Sequence, residues 1–226
     1  NGIAGFLWSV ADLLRGDYKQ SDYGKVLLPF TLLRRLDCVL EPTKPAVLAE
    51  YQARKHLGSN LDAFLTRKSK QIFYNTSELD FAKLLADPTN IGANLSAYIA
   101  GFSPNARDIF ERYDFHAQID KLDSANLLFQ VVQRFASVNL HPQAVDNHKM
   151  GLVFEELIRR FAELSNETAG EHFTPRDVIR LMVMLLFLGD IQMLSKPGIV
   201  RSLYDPTAGT GGMLSIADEY LRTINS

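Results

Sequence analysis

The run Tyr204-Asp205-Pro206-Thr207-Ala208-Gly209-Thr210-Gly211-Gly212-Met213-Leu214 constrains the fold more than any other part of this 226-residue chain. Apolar Ile199, Val200, Leu203 and Tyr204 lead to an acid and a turn of small residues. Met213, Leu214, Ile216, Ala217 and Leu221 then recur at helical spacing. The pattern predicts a strand, a glycine turn and a helix. A Cβ at Gly209 or Gly211 would hold off a ligand that touches main chain, or forbid a positive φ. The helix start behind the turn offers free N–H groups.

Three ligand classes use such turns. A phosphate-cradling loop needs Gly-Lys-Ser/Thr, but Gly212 is followed by Met213 and Leu214. A dinucleotide fingerprint needs a third glycine where Leu214 stands, and usually has no acid directly before the turn. A ligand with a cationic amino-acid end and no phosphate suits Asp205 at the strand tip, and S-adenosylmethionine has that form. A Gly-x-Gly-Gly turn in isolation serves packing as readily as a ligand.

Upstream, Gly170-Glu171-His172-Phe173-Thr174-Pro175-Arg176-Asp177 precedes the apolar run Val178 to Leu188. Thr174 as N-cap, Pro175 at the first helical position and Asp177 three residues after the cap predict a helix start. Phe173 is then either a hydrophobic staple onto Val178 or a pocket wall.

Phe173-Thr174-Pro175-Arg176, with Asp205-Pro206-Thr207-Ala208-Gly209-Thr210-Gly211-Gly212 about thirty residues later, resembles the paired cofactor motifs of adenine-N6 DNA methyltransferases. Two amino-terminal segments, Phe6-Leu7-Trp8-Ser9-Val10-Ala11-Asp12-Leu13-Leu14-Arg15-Gly16 and Leu28-Pro29-Phe30-Thr31-Leu32-Leu33-Arg34-Arg35-Leu36-Asp37, resemble one branch of that group. This branch is the modification subunit of type I restriction-modification systems. The resemblance implies a mainly α amino-terminal domain, residues 1–140, that contacts partners and clamps DNA. It further implies, over 141–226, the start of an α/β Rossmann-like S-adenosylmethionine-dependent methyltransferase domain. The cofactor residues it implies are Glu171, His172, Phe173, Thr174, Pro175, Arg176, Asp205, Gly209, Thr210, Gly211 and Gly212. The implied partners are DNA, a specificity subunit, a restriction subunit and a second modification subunit.

The same resemblance implies a catalytic Asn/Asp-Pro-Pro-Tyr/Phe tetrapeptide that orients an adenine turned out of the duplex. No such tetrapeptide occurs in these residues. A second-strand acid for the ribose hydroxyls is also expected, about twenty residues past the glycines. The expectation is therefore a fragment with half of a cofactor site and no catalytic residues of its own. The alternatives are a non-catalytic assembly or DNA-binding module, or a methyltransferase acting on RNA or a small molecule.

Composition limits the remaining classes. Cys38 is the only cysteine, which excludes an intrachain disulfide and predicts a reducing, cytoplasmic setting. The longest apolar run, Leu181 to Gly189, is too short for a membrane span, so no membrane partner is expected. A net charge of −2 gives no overall electrostatic case for nucleic acid. Two basic groups stand out: Arg15, Lys19, Lys25, Arg34 and Arg35, then Arg54, Lys55, Arg67, Lys68 and Lys70. Their default reading is solvated helix faces, with phosphate contact as the alternative. The five histidines, His56, His116, His141, His148 and His172, lack ligand spacing, so no metal site is expected. Glu155 and Glu156 point about 100° apart on a helix and are read as solvated or salt-bridged.

Helical spacing recurs through most of the chain: Ile3 to Leu14, Val26 to Leu40, Ser124 to Val138 and Met150 to Leu164. Pro29 must lie in the first turn of its helix or kink it. Thr43, Ser77 and Ser103 are expected helix starts. Asn139-Leu140-His141-Pro142-Gln143 breaks the pattern and is the expected domain boundary. Trp8 and Tyr18 are expected to be core or partner-facing aromatics.

Overall fold

The computed structural model describes residues 3–56, 61–164, 174–196, 201–208 and 211–225. The chain divides into two compact units, Asn1–Ser165 and Asn166–Ser226.

Helices make up most of the described residues of the first unit. In chain order its helices are α1 (Ile3–Leu13), α2 (Tyr23–Leu40), α3 (Lys44–Arg54), α4 (Leu61–Ser69), α5 (Phe81–Leu85), α6 (Ile91–Ala100), α7 (Pro104–Arg112), α8 (Phe115–Ser124), α9 (Leu128–Ala136) and α10 (Asn147–Leu164). Helix α2 is the centre: Val26, Leu27, Phe30 and Leu33 are fully buried and meet apolar residues from α1, α5, α6, α8, α9 and α10. Phe30 stacks on Phe135 at 5.3 Å and meets Phe115 edge-on at 4.9 Å. Such aromatic pairs add directional contact to the burial that drives assembly. Tyr18 belongs to this core, and half-buried Trp8 packs against it near Phe161, 6.4 Å between rings.

Local chemistry accounts for most helix ends. Thr43 and Ser103 precede α3 and α7, with Pro45 and Pro104 in the first turns, as expected. Two expectations change. Ser77 starts no helix: its hydroxyl accepts from the Leu79 N–H at 3.2 Å in a local turn, and Asp80 caps α5 by accepting from the Lys83 N–H. The helix expected from Ser124 begins at Leu128. Asn126 takes φ +57° there, and the Leu127 N–H bonds back to the Leu122 carbonyl, ending α8 in a left-handed cap. Pro29 lies seven residues into α2, beyond its first turn.

A further correction concerns the first basic group. Arg35 is buried, and its guanidinium donates to the Leu140 carbonyl, the Val145 carbonyl at 2.6 Å and Asn147 Oδ1 at 2.8 Å. Arg34 donates to the Val138 and Ala136 carbonyls and pairs with Asp37 at 2.7 Å. These are not solvated cations. Their planar multi-donor heads satisfy the carbonyls of the non-helical connection between α9 and α10. The Asn139–Gln143 break is thereby tied to α2, and Cys38 packs beneath it with Leu140, Val145 and Met150.

The second unit holds α11 (Arg176–Phe187), α12 (Ile191–Leu194) and α13 (Gly212–Ile224). Its small core comprises Ile179, Val183, Phe187, Ile216 and Ala217. The strand expected from Ile199 to Tyr204 is not formed at its described residues, 201–204, and no sheet occurs among the described residues. Residues 199 and 200 lie outside them. Tyr204 is 84% exposed. A lone strand has no ladder to complete, and parallel strands in particular need buried neighbours. No described helix is long and apolar enough to cross a membrane.

Candidate functional site

The segment Thr174-Pro175-Arg176 opens α11. Pro175 has φ −53° and ψ 137°, and its carbonyl accepts the first helical bond, from the Ile179 N–H at 3.0 Å. Pro175 is therefore the N-cap and Arg176 the first helical residue, one position later than expected. The ring fixes φ at a value open to either role, and the extended ψ decides it. Thr174 is exposed and makes no side-chain cap bond. Asp177 remains in the first turn, where a carboxylate faces the positive end of the helix dipole.

The glycine turn is built from the opposite direction. Asp205 Oδ1 accepts from the Thr207 N–H at 3.0 Å and from its hydroxyl at 3.3 Å, closing an Asx turn at the head of the run. The Gly211 N–H bonds to the Ala208 carbonyl at 2.7 Å. Gly211 then caps α13 with φ +78°, a left-handed value that a branched side chain adopts only under strain. No described atom lies within 4 Å of where its Cβ would stand, so the backbone angle and not crowding selects glycine. Gly212 differs: a Cβ there would sit 2.8 Å from Ile179 Cδ1, so its smallness serves the approach of α11.

Two contacts fix the relation of these helices. Ile179 meets Gly212, and eight residues further along both helices the rings of Phe187 and Tyr220 lie 6.0 Å apart. Helices α11 and α13 therefore run in the same direction. Their amino termini, carrying Thr174-Pro175-Arg176 and the glycine turn, open at the same end of the unit. Arg176 adds an ion pair to Glu219 at 2.8 Å.

Thus the structure brings Pro175, Arg176, Gly211 and Gly212 to one end, with Asp205 heading the turn. Glu171, His172, Phe173, Gly209 and Thr210 lie outside the described residues, as does the question of a Phe173 staple. Glu219 and Ile179 were not singled out in the sequence. Ile179 had a signal, since it falls on the apolar stripe with Val183 and Phe187; Glu219 had none, because its partner is forty-three residues away. No group of three or more potential metal ligands occurs among the described residues.

The geometry is thus two packed helix starts in the second unit, one of them a left-handed glycine turn headed by Asp205 and without a Gly-Lys-Ser/Thr lysine. Comparison with known proteins is specific. Residues 3–135 match the model described as the HsdM N-terminal domain, and residues 145–226 match N-6 DNA Methylase. The chain belongs to the HsdM family, the modification subunits of type I restriction-modification systems. It is similar to the type I restriction enzyme MjaIX methylase subunit of Methanocaldococcus jannaschii, 23% identical over 95% of this chain and 39% of that protein. It is also similar to the EcoEI methylase subunit of Escherichia coli, 29% identical over 58% of this chain and 24% of that protein. The EcoKI methylase subunit of E. coli K12 is 34% identical over 32% of this chain and 12% of that protein. The chain thus spans well under half the length of these relatives.

Proposed function

We propose that the protein carrying these residues transfers a methyl group from S-adenosylmethionine to adenine N6 in DNA, as the modification subunit of a type I restriction-modification complex. The common opening of α11 and α13 carries this reading. A Thr-Pro-Arg helix start and a left-handed glycine turn at the amino-terminal ends of two packed helices support a ligand shared between them.

The residues suit the group. The side of Gly211 where a Cβ would stand is open, and the first N–H groups of a helix have no partner within it. Asp205 Oδ2 has no hydrogen-bond partner among the described residues, which leaves it available to a ligand ammonium. We assign cofactor contact to Glu171, His172, Phe173, Thr174, Pro175, Arg176, Asp205, Gly209, Thr210, Gly211 and Gly212. When bound, S-adenosylmethionine supplies an electrophilic methyl on a sulfonium. The chain's own part is to bind and orient it: Asp205 holds the cationic end, and the backbone of the turn lies against it. The sequence contains no Asn/Asp-Pro-Pro-Tyr/Phe tetrapeptide to orient adenine.

We further propose that 141–226 begin a Rossmann-like α/β domain, with 1–140 as the partner-contacting and DNA-clamping domain. Parallel successive helices are what one face of a parallel sheet carries. Helix α11 also keeps Leu181, Leu185 and Leu186 more than half exposed, a pattern that suits a helix covered on both sides. DNA, the specificity and restriction subunits and a second modification subunit are the proposed partners, in the cytoplasm.

Phe173 tests the reading. Replacement by alanine weakens S-adenosylmethionine binding in calorimetry by tenfold or more and leaves the cofactor-free melting temperature nearly unchanged. Unchanged affinity with lowered stability would make Phe173 a staple and remove it from the site. The non-catalytic alternative is separated by tritiated methyl transfer to DNA from the full subunit with its partners.

A further inference from the structure

Within the second basic group, Lys55, Arg67 and Lys70 are not accounted for by packing or by the cofactor site. Residues 54–70 hold five lysines and arginines against one acid, Asp62, a surplus of four on a chain whose net charge is −2. Helices α3 and α4 form a hairpin around their own small core of Val47, Leu65 and Tyr74, separate from the main core. Glu50 lies opposite Lys68, 3.5 Å apart, and Arg54 lies over the Phe64 ring at 4.2 Å, so the two helices are antiparallel.

Its acids are already engaged. Glu50 takes Arg54 and Lys68, which holds its carboxyl below the usual range, and Asp62 accepts the Tyr74 hydroxyl. Lys55, Arg67 and Lys70 are exposed and make no ion pair among the described residues. The helix dipole explains a cation in each last turn, but Lys70 stands beyond the end of α4 at φ +56°. Because antiparallel helices end at opposite sides, cations occur at both ends of the hairpin. The opposed pairs set Lys55 level with position 63, so Arg67 and Lys70 stand about 6 and 10 Å further along the axis at 1.5 Å per residue, a span of about two to three phosphate steps on one strand at about 3.4 Å each. This length comes from helix geometry and matches a repeated anionic backbone better than a single acidic side chain.

We propose that the exposed face of the α3–α4 hairpin binds the phosphate backbone of duplex DNA through Lys55, Arg67 and Lys70. The proposal rests on the DNA-methylation reading above and deepens it by naming the contacting face. These contacts are independent of base sequence and position the duplex without reading it.

The test is a salt titration of duplex binding by the 226-residue chain, unsubstituted and as the triple variant Lys55→Gln, Arg67→Gln, Lys70→Gln. A second triple variant, Lys55→Arg, Arg67→Lys, Lys70→Arg, preserves charge, and Lys25→Gln, Lys149→Gln is a control elsewhere. The neutral triple lowers affinity tenfold or more at low salt and reduces the log–log salt slope by about 2–3, near 0.9 per lost phosphate contact. The charge-preserving triple and the control bind like the parent chain. An unchanged slope in the neutral triple overturns the proposal, and so does loss of partner-subunit association with DNA binding intact, which would make the face protein-binding. Cofactor affinity of the full-length subunit is read in parallel: an unchanged salt slope with S-adenosylmethionine still bound sinks the hairpin proposal alone, and absence of cofactor binding sinks the methylation reading separately.

Discussion

Single residues in this chain separate into those that packing explains and those that only chemistry explains. Arg35 is of the first kind. Its removal as Arg35→Leu strands two buried carbonyls and an asparagine, each costing about 1–3 kcal/mol when unsatisfied. The expected loss is about 2–4 kcal/mol in urea unfolding of the first unit, with S-adenosylmethionine affinity unchanged. Arg35 looked like one of a solvated pair because charge dominates a sequence reading. Its real signal was its place on the buried stripe with Thr31 and Cys38, at spacings of four and three. Acid sensitivity is also a residue property. Asp146 accepts from the Lys149 N–H at 2.8 Å at the start of α10, and that bond holds its carboxyl below the ordinary value. A lowered folded pKa contributes stability above the unfolded value, which is lost as pH falls through the carboxylate range near 4. Asp37 opposes this: burial pushes its carboxyl up, so its contribution is lost as pH rises instead. Melting temperature followed from pH 7 to pH 3 falls at the acid end, and Asp146→Asn makes that fall shallower.

Among elements, the glycine turn and the helices were legible because their causes are local. Gly211 takes the positive φ that its place demands, and α10 and α13 follow their apolar spacing. What was not legible is long-range. The strand at Ile199–Tyr204 depends on partners elsewhere in sequence, and the same apolar pattern without a ladder leaves Leu203 and Tyr204 exposed. The parallel run of α11 and α13 was equally hidden, since it rests on Ile179 meeting Gly212. This packing limits the local opening of the second unit. Amides at 201–208 exchange fast, whereas Ile216 and Ala217, buried against α11, exchange at least a hundredfold more slowly under hydrogen-exchange mass spectrometry. Uniformly fast exchange through α13 would contradict the α11–α13 pairing.

For the molecule as a whole, a helical domain with a chemically plain interior precedes, along the sequence, a small unit that carries the motif residues at two helix starts. The family was legible from motifs at both ends of the chain, and the site residues stayed proposals because half of them fall in segments the structure does not describe. The central claim is that the glycine turn at α13 receives S-adenosylmethionine. Isothermal calorimetry of the full-length subunit, unsubstituted and as Gly211→Val, tests it most directly. Valine cannot follow φ +78° without strain, so the account predicts saturable S-adenosylmethionine binding that NAD and ATP do not displace, and loss of at least tenfold in affinity in folded Gly211→Val. Unchanged affinity in folded Gly211→Val, or displacement by NAD or ATP, would contradict it.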